Sequence, residues 1–274
     1  MDTLGQAKEE LLEAGYDLIS PAQKEARKKY KPIARDGRHF AMQNIEGYEL
    51  LRSQLTQGQK GVLLLLLLTT AMEINEGGKL FKGKNERLTV EDVSVMIGKK
   101  RVQTFKILTE LENIGAITKE QVGKNVFVNI SEGFYRCGYM EKNTPVVKIF
   151  KKRLQEVASK LSHNELGFLS DVLSHMHWET HILCSNPTEK DASKLEVWKG
   201  KDIVEVLGYS RNFVSVTLKK FRQNEITMEI GTVLDVIVLD PDLVSKQAKK
   251  VTLEDIKRVA KQVHLSSSNY RKIN

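Results

Sequence analysis

The stretch Asp92 to Thr118, DVSVMIGKKRVQTFKILTELENIGAIT, aligns without a gap on the stretch 110 residues further along the chain. Asp92 matches Asp202, Val93 matches Ile203, Ile97 matches Leu207, Gly98 matches Gly208, Arg101 matches Arg211, Leu108 matches Leu218 and Leu111 matches Phe221. Two copies of one unit need one structural reason, and that requirement narrows the fold more than any composition figure.

In the second copy, Ile203, Val206 and Leu207 mark one face of an amphipathic helix, Gly208 marks a sharp turn, and Ser210 is placed to cap a second helix. Behind that cap Val214, Leu218 and Phe221 share one face, while Arg211, Asn212, Ser215, Lys219, Lys220 and Arg222 fall on the others. Such a pair anchors its second helix by one face and presents the opposite face to a DNA groove, although a helix pair of plain core shows the same spacing. After the first copy, Ala116 to Thr118 and Asn125 to Ile130 alternate around Val122, Gly123 and Lys124, the pattern of a β-hairpin.

Helix, helix pair and hairpin is the winged-helix order, and LGYSRNFVSVTLKKF, Leu207 to Phe221, resembles winged-helix proteins of bacteria. The resemblance is closest to replication and regulatory proteins of Firmicute plasmids and phages, and it includes the closing Asp240-Pro241-Asp242. It covers roughly residues 50 to 140 and 146 to 245. The first copy departs from the pattern with Lys99-Lys100 at the cap and Phe105 at a polar recognition position. The implied fold is mainly α with small β-hairpins, two winged helix-turn-helix domains in tandem.

The expected organisation is a helical basic N-terminal extension over 1–47, a first winged-helix domain over 48–140, a linker helix plus second domain over 141–245, and a basic tail over 246–274. Formal charge in these segments sums to 0, +3, −1 and +6, giving the net +8 of the 274-residue chain. Within the extension, KEARKKYKPIARDGRH carries seven Lys or Arg against two acids. That run suits either an arm along DNA phosphates or a solvated helix. In the tail Thr252 caps a helix through Ile256, Val259, Ala260 and Val263, and His264 to Arg271 either begin another short helix, as of a truncated third helix pair, or belong to a basic tail that docks on DNA or frays in solution.

Thr56 and Gln59 spell a capping box before Leu63 to Leu68, a run too short for a membrane span and apolar enough to be an enclosed core helix. Ser162 with Glu165 repeats that signal ahead of Leu166, Leu169, Leu173 and Met176. Thr144 and Pro145 open the expected linker helix, with Val147, Phe150, Leu154, Val157 and Leu161 in a two-heptad seam that packs on its own domain or joins a homodimer. The second hairpin, Met228 to Leu239, has Glu229 and Asp235 where the first has Lys119 and Lys124, so the second copy should hold a phosphate backbone less firmly.

Other chemistry has weak support. Gly78 to Lys84 reads G-x-x-x-x-G-K, but Asn85 replaces the metal-binding Ser or Thr and no apolar strand leads in. His177, His181 and Cys184 admit a zinc site by spacing, yet no second cluster completes it and ordinary packing accounts for them better. No G-x-S-x-G, H-E-x-x-H or paired CxxC is present, so neither an enzyme nor a cofactor is expected. Two distant cysteines, Cys137 and Cys184, and an N-terminus unlike a signal peptide indicate a reducing cytoplasm, while a bacterial host and association with its nucleoid are what the winged-helix resemblance implies.

The leading expectation is therefore sequence-specific double-stranded DNA binding, as a transcriptional regulator of a phage or plasmid. Alternatives are an origin-binding replication initiator and a winged-helix protein-interaction module. Arg101, Gln103, Thr104 and Lys106 in the first copy, and Ser210, Arg211, Asn212, Phe213 and Ser215 in the second, are the candidates at or near base edges. Lys99, Lys100, Lys119, Lys124, Lys219 and Lys220 are candidates for phosphate.

Overall fold

The computed structural model describes residues 36–69, 71, 72, 78–83, 85–137, 144–229, 236–260 and 263, together with Ser20 and Ala22. The chain divides into two units, Met1–Asp36 with Ala248–Lys250, and Gly37–Gln247 with Val251–Asn274. The elements below belong to the second. Most of the basic N-terminal run, residues 230–235 of the second hairpin and the tail residues 264–271 lie outside the described residues.

The unit begins with strand β1 (Phe40–Asn44), helix α1 (Ile45–Arg52) and helix α2 (Gln57–Leu66). Strands β2 (Ala71–Met72), β3 (Leu80–Gly83) and β4 (Glu86–Arg87) follow. Next come the helix pair α3 (Val90–Met96) and α4 (Arg101–Asn113), the hairpin β5 (Ile117–Val122) and β6 (Asn125–Ile130), and β7 (Tyr135–Arg136). The order then returns with β8 (Val146–Phe150), α5 (Lys151–Ala158) and α6 (His163–Val172). Its second helix pair is α7 (Gly200–Leu207) and α8 (Arg211–Gln223), followed by β9 (Thr227–Glu229), β10 (Ile237–Leu239) and β11 (Val244–Ser245). Helix α9 (Leu253–Ala260) comes last, started by Thr252, whose hydroxyl and backbone N–H both bond Asp255.

The repeat is thus longer than the stretch that aligns by eye: β1, α1 and α2 recur as β8, α5 and α6 at an offset of 106 residues. An internal two-fold axis relates the copies. Strands β1 and β8 pair antiparallel with Met42 opposite Lys148, which are equivalent positions at that offset, so the axis passes between them. Strand β7 flanks β1 and β11 flanks β8, completing the order β11-β8-β1-β7. Main-chain bonds come in symmetric pairs. Ile45 N donates to Pro145 O and Lys151 N to His39 O, both at 3.0 Å; Asn44 N donates to Phe134 O and Phe150 N to Leu243 O, both at 2.9 Å.

Helices α2 and α6 cross beside this sheet, each started by the capping box expected from its sequence. Thr56 N donates to Gln59 Oε1 at 2.8 Å, and Ser162 N to Glu165 Oε2 at 2.7 Å. The run Val62 to Leu67 is buried on every side because α2 is enclosed, and one apolar core draws on both copies from Ala41 to Val244. A smaller core joins Ile182, Cys184, Val236 and Val238 to Val251, Ile256, Ala260 and Val263.

A buried polar network breaks the symmetry at the crossing. The Asp171 carboxylate accepts from Tyr48 Oη at 2.9 Å, Tyr209 Oη at 2.7 Å and Lys60 Nζ at 2.7 Å, so the charge removed from water is fully partnered. The positions equivalent to Lys60 and Asp171 are Leu166 and Leu65, both buried.

The expectation of a mainly α fold with two tandem winged helix-turn-helix domains is corrected: the fold is mixed α/β, with strands in four small sheets among the described residues. The expected linker helix is the clearest case. Val146–Phe150 is strand β8, and helix begins only at Lys151. Val147 and Ile149 are buried while Lys148 between them is less so, the period-2 alternation of a strand, and β1 supplies the pairing edge. The two-heptad seam therefore does not exist as one helical face. Residues 78–83 and 85–87 also differ from a phosphate loop: β3 and β4 pair antiparallel there, with Asn85 at φ 65. No helix among the described residues is long and apolar enough to cross a membrane.

Candidate nucleic-acid interface

Helices α4 and α8 occupy equivalent places in the two copies, each held by a short helix before it and a hairpin after it. The Thr89 hydroxyl accepts from Asp92 N at 3.2 Å, and the Asp92 carboxylate accepts from Thr89 N at 2.9 Å, so α3 begins on a full capping box. Gly98 at φ 62 and Gly208 at φ 73 make the turns, a backbone conformation that glycine adopts without strain. Ser210 then caps α8, its hydroxyl accepting from Phe213 N at 3.3 Å. In the first copy Lys100 stands at the cap and its side chain makes no such bond.

One face of each helix is buried: Thr104, Leu108 and Leu111 in α4, and Val214, Thr217, Leu218 and Phe221 in α8. Each is tied to the central crossing by a polar contact. Gln59 Nε2 on α2 donates to Glu110 Oε2 at 2.9 Å, and Lys220 Nζ pairs with Glu165 Oε2 on α6 at 2.7 Å. Gln59 and Glu165 are equivalent positions, as are Glu110 and Lys220, so the two-fold axis of the core carries through to α4 and α8. Burial works against the charge of Glu165, but its bonds from Lys220 and Ser162 outweigh that cost and hold its carboxyl below the usual range.

Most of the expected contact residues are exposed. Lys99, Lys100, Arg101, Gln103 and Lys106 line the start and outer face of α4, and Arg211, Asn212, Ser215 and Lys219 that of α8. Arg101 is engaged in an ion pair with Glu91 at 2.6 Å, both side chains open to solvent. Lys124 is exposed in the tight turn of the first hairpin, beside Gly123 at φ 60.

Four of the expected contact residues are buried or engaged within the fold. Thr104 is fully buried, its hydroxyl bonded to Lys100 O at 3.2 Å, because it stands where the second copy has the core residue Val214. Phe213 turns inward, stacked on Tyr209 at 5.3 Å and edge-on to Phe168 at 5.9 Å. Lys119 is used internally, donating to Thr109 Oγ1 at 2.8 Å, pairing with Glu112 at 3.0 Å and lying 4.4 Å above the Phe105 ring. Lys220 is committed to Glu165. Ser210 acts as a cap, with its side chain still exposed.

Two apolar side chains on these outer faces escaped the sequence reading. Val102 is 82% exposed and Val216 is 55% exposed. Their signal was positional: both fall off the core spacing of their own helices. The acidity expected of the second hairpin rests on Glu229 and Asp235, whose side chains lie outside the described residues.

The His177 region shows packing chemistry. His177 is buried between Thr180 Oγ1 at 2.9 Å and Glu189 O at 2.7 Å, and Cys184, also buried, has its thiol pushed up to about 12 by burial. Among the described residues no group of three or more His, Cys, Asp or Glu side chains is placed to hold a metal ion. Comparison with protein-family models, with curated proteins and with solved structures finds no match for this chain.

Proposed function

We propose that the protein binds double-stranded DNA in a sequence-dependent way through the outer faces of α4 and α8. The observation that carries this reading is the duplicated, two-fold-related pair of helices, each rooted in the core by one face and exposing Arg with amide or hydroxyl side chains on the other. Arg101 and Arg211 suit the acceptor pair on guanine, Gln103 and Asn212 suit adenine, and the exposed Val102 and Val216 suit a thymine methyl group. Lys99, Lys100, Lys106 and Lys219 are exposed and suit phosphate.

A two-fold axis inside one chain matches the local dyad of the duplex, so a single chain addresses two half-sites of inverted polarity. The side chains differ between copies, so the half-sites differ in sequence. Control of transcription in a phage or plasmid is the setting that follows from the resemblance of Leu207 to Phe221. The test is footprinting on DNA flanking the gene, with Arg101→Ala and Arg211→Ala each expected to erase protection over a different half of the site. Loss of the same half in both variants, or equal loss on random DNA, counts against the reading.

A further inference from the structure

The cleft between the start of α7, the outer face of α8 and the β9-β10 hairpin encloses about 360 Å³, within the range of small-molecule sites. Four cations line it, Lys199, Lys201, Arg211 and Arg222, over an apolar floor that includes the buried Val214 and Leu218. No acidic side chain is among its described lining residues, and beside them Asp202 stands 3.8 Å from Lys201, leaving the lining cations in excess. The hydroxyl of Thr227, 4% exposed and also lining the cleft, has no hydrogen-bond partner, which is uncommon for a buried polar group.

The first copy serves as an internal control. At the positions equivalent to Lys199, Lys201 and Arg222 it has Thr89, Glu91 and Glu112, and its one retained cation, Arg101, is neutralised by Glu91 at 2.6 Å. Phe105 replaces Ser215, with Lys119 above its ring, and the buried Ile117 replaces Thr227. The fold therefore does not require cations or a polar floor here; the second copy alone concentrates them.

We infer that the cleft binds a small phosphate monoester carrying an apolar or aromatic body of about mononucleotide size. Arginine and lysine suit the phosphate, and the floor suits a sugar or ring. A duplex running over α8 meets the rim cations but is too broad to use that floor. Arg211 and Ser215 belong both to this cleft and to the face assigned to DNA, so an occupied cleft withdraws them from the groove. That regulatory step rests on the proposed function; binding of the ligand does not.

The experiment is calorimetric titration of the full chain with AMP, with adenosine as the uncharged comparison. The test variant is Lys199→Thr with Lys201→Glu, which restores the residues of the first copy. It should fold, since Thr three residues before Asp202 recreates the cap made by Thr89 and Asp92, and its melting curve checks this. Expected are saturable one-to-one AMP binding, adenosine and the variant each weaker by about tenfold or more, and release of a labelled duplex on adding AMP. No saturable AMP binding, or binding that the variant leaves unchanged, overturns the inference, as does a variant that alters only the salt dependence of DNA binding. AMP binding by a chain that holds no duplex keeps the cleft and removes the DNA reading.

Discussion

Gly61 and Gly167 are reciprocal across the crossing of α2 and α6: the His163 carbonyl lies where a Cβ on Gly61 would stand, and the Gln57 carbonyl where one on Gly167 would. Both glycines, and both carbonyls, are equivalent pairs at the 106-residue offset. Backbone-to-backbone approach at this point sets how closely the two copies join.

At an open helical site, alanine in place of glycine stabilises by about 1 kcal/mol. Here the sign reverses. Gly61→Ala and Gly167→Ala should each destabilise by about 1 to 3 kcal/mol, because the obstacle is a main chain that cannot rotate away. The double variant should lose less than the sum, since the first methyl already parts the helices. Urea unfolding of the three variants measures this, and a raised midpoint in either single variant would show that the helices separate freely.

Asp171 gives a second contrast. Asp171→Asn should cost about 3 to 5 kcal/mol, because it leaves the Lys60 ammonium buried with weakened partners. Lys60→Leu with Asp171→Leu installs the residues found at the related positions, Leu166 and Leu65, and should cost less than Asp171→Asn alone. Two tyrosine hydroxyls, Tyr48 and Tyr209, still lose their acceptor, so some loss remains. Equal losses from the single and double changes would mean that the tyrosine bonds, rather than the ion pair, dominate.

Buried histidines set a pH window. Burial pushes His181 down to about 3, and burial with nearby Arg52 and Lys246 pushes His175 to about 4. The folded values lie below the unfolded value of about 6.5, so at acid pH the unfolded chain binds more protons. Stability is intact above pH 6.5 and falls as the pH drops from 6.5 toward 4, by up to about 1.4 kcal/mol per pH unit for each group. The range from 6.5 to 5 lies above ordinary carboxylate titration, so the histidines account for the slope there. Unfolding midpoints against pH should show it, and His181→Gln should make it shallower; a flat profile between 7 and 5 contradicts the buried neutral state.

How far the sequence could be read depended on the range of the interactions involved. Capping boxes at Thr56 and Ser162, the turn glycines Gly98 and Gly208, and the first hairpin were legible because each is settled within a few neighbouring residues. Strand β8 was not. Val147, Phe150, Leu154 and Val157 fit a helical seam, and only pairing with β1, over a hundred residues away, decides for strand over Val146 to Phe150. The longer repeat stayed hidden because its offset changes from 106 to 110 after α6, and because pairs such as Lys60 and Leu166 share no chemistry. Thr104 was available from the alignment with Val214, but its polar side chain argued for the surface; its bond to Lys100 O satisfies that hydroxyl inside the core.

Lys119 and Lys124 stand in one hairpin and look alike in sequence, yet the structure separates their roles. Lys119 is bonded to Thr109 and Glu112 and lies over Phe105, with its side chain only 12% exposed. Lys119→Ala should therefore lower stability, by about 1 to 2 kcal/mol, through lost contacts that include the cation over the ring. Lys124 is exposed in the turn, so Lys124→Ala should leave the unfolding midpoint unchanged. If the hairpin lies along the duplex, that change should reduce by about 1 the slope of log affinity against log salt, equally on specific and random DNA. A melting curve and a salt titration on both variants distinguish the two lysines. Should Lys119→Ala alter the salt slope and spare stability, its internal bonds do not persist on DNA and the hairpin rearranges when it binds.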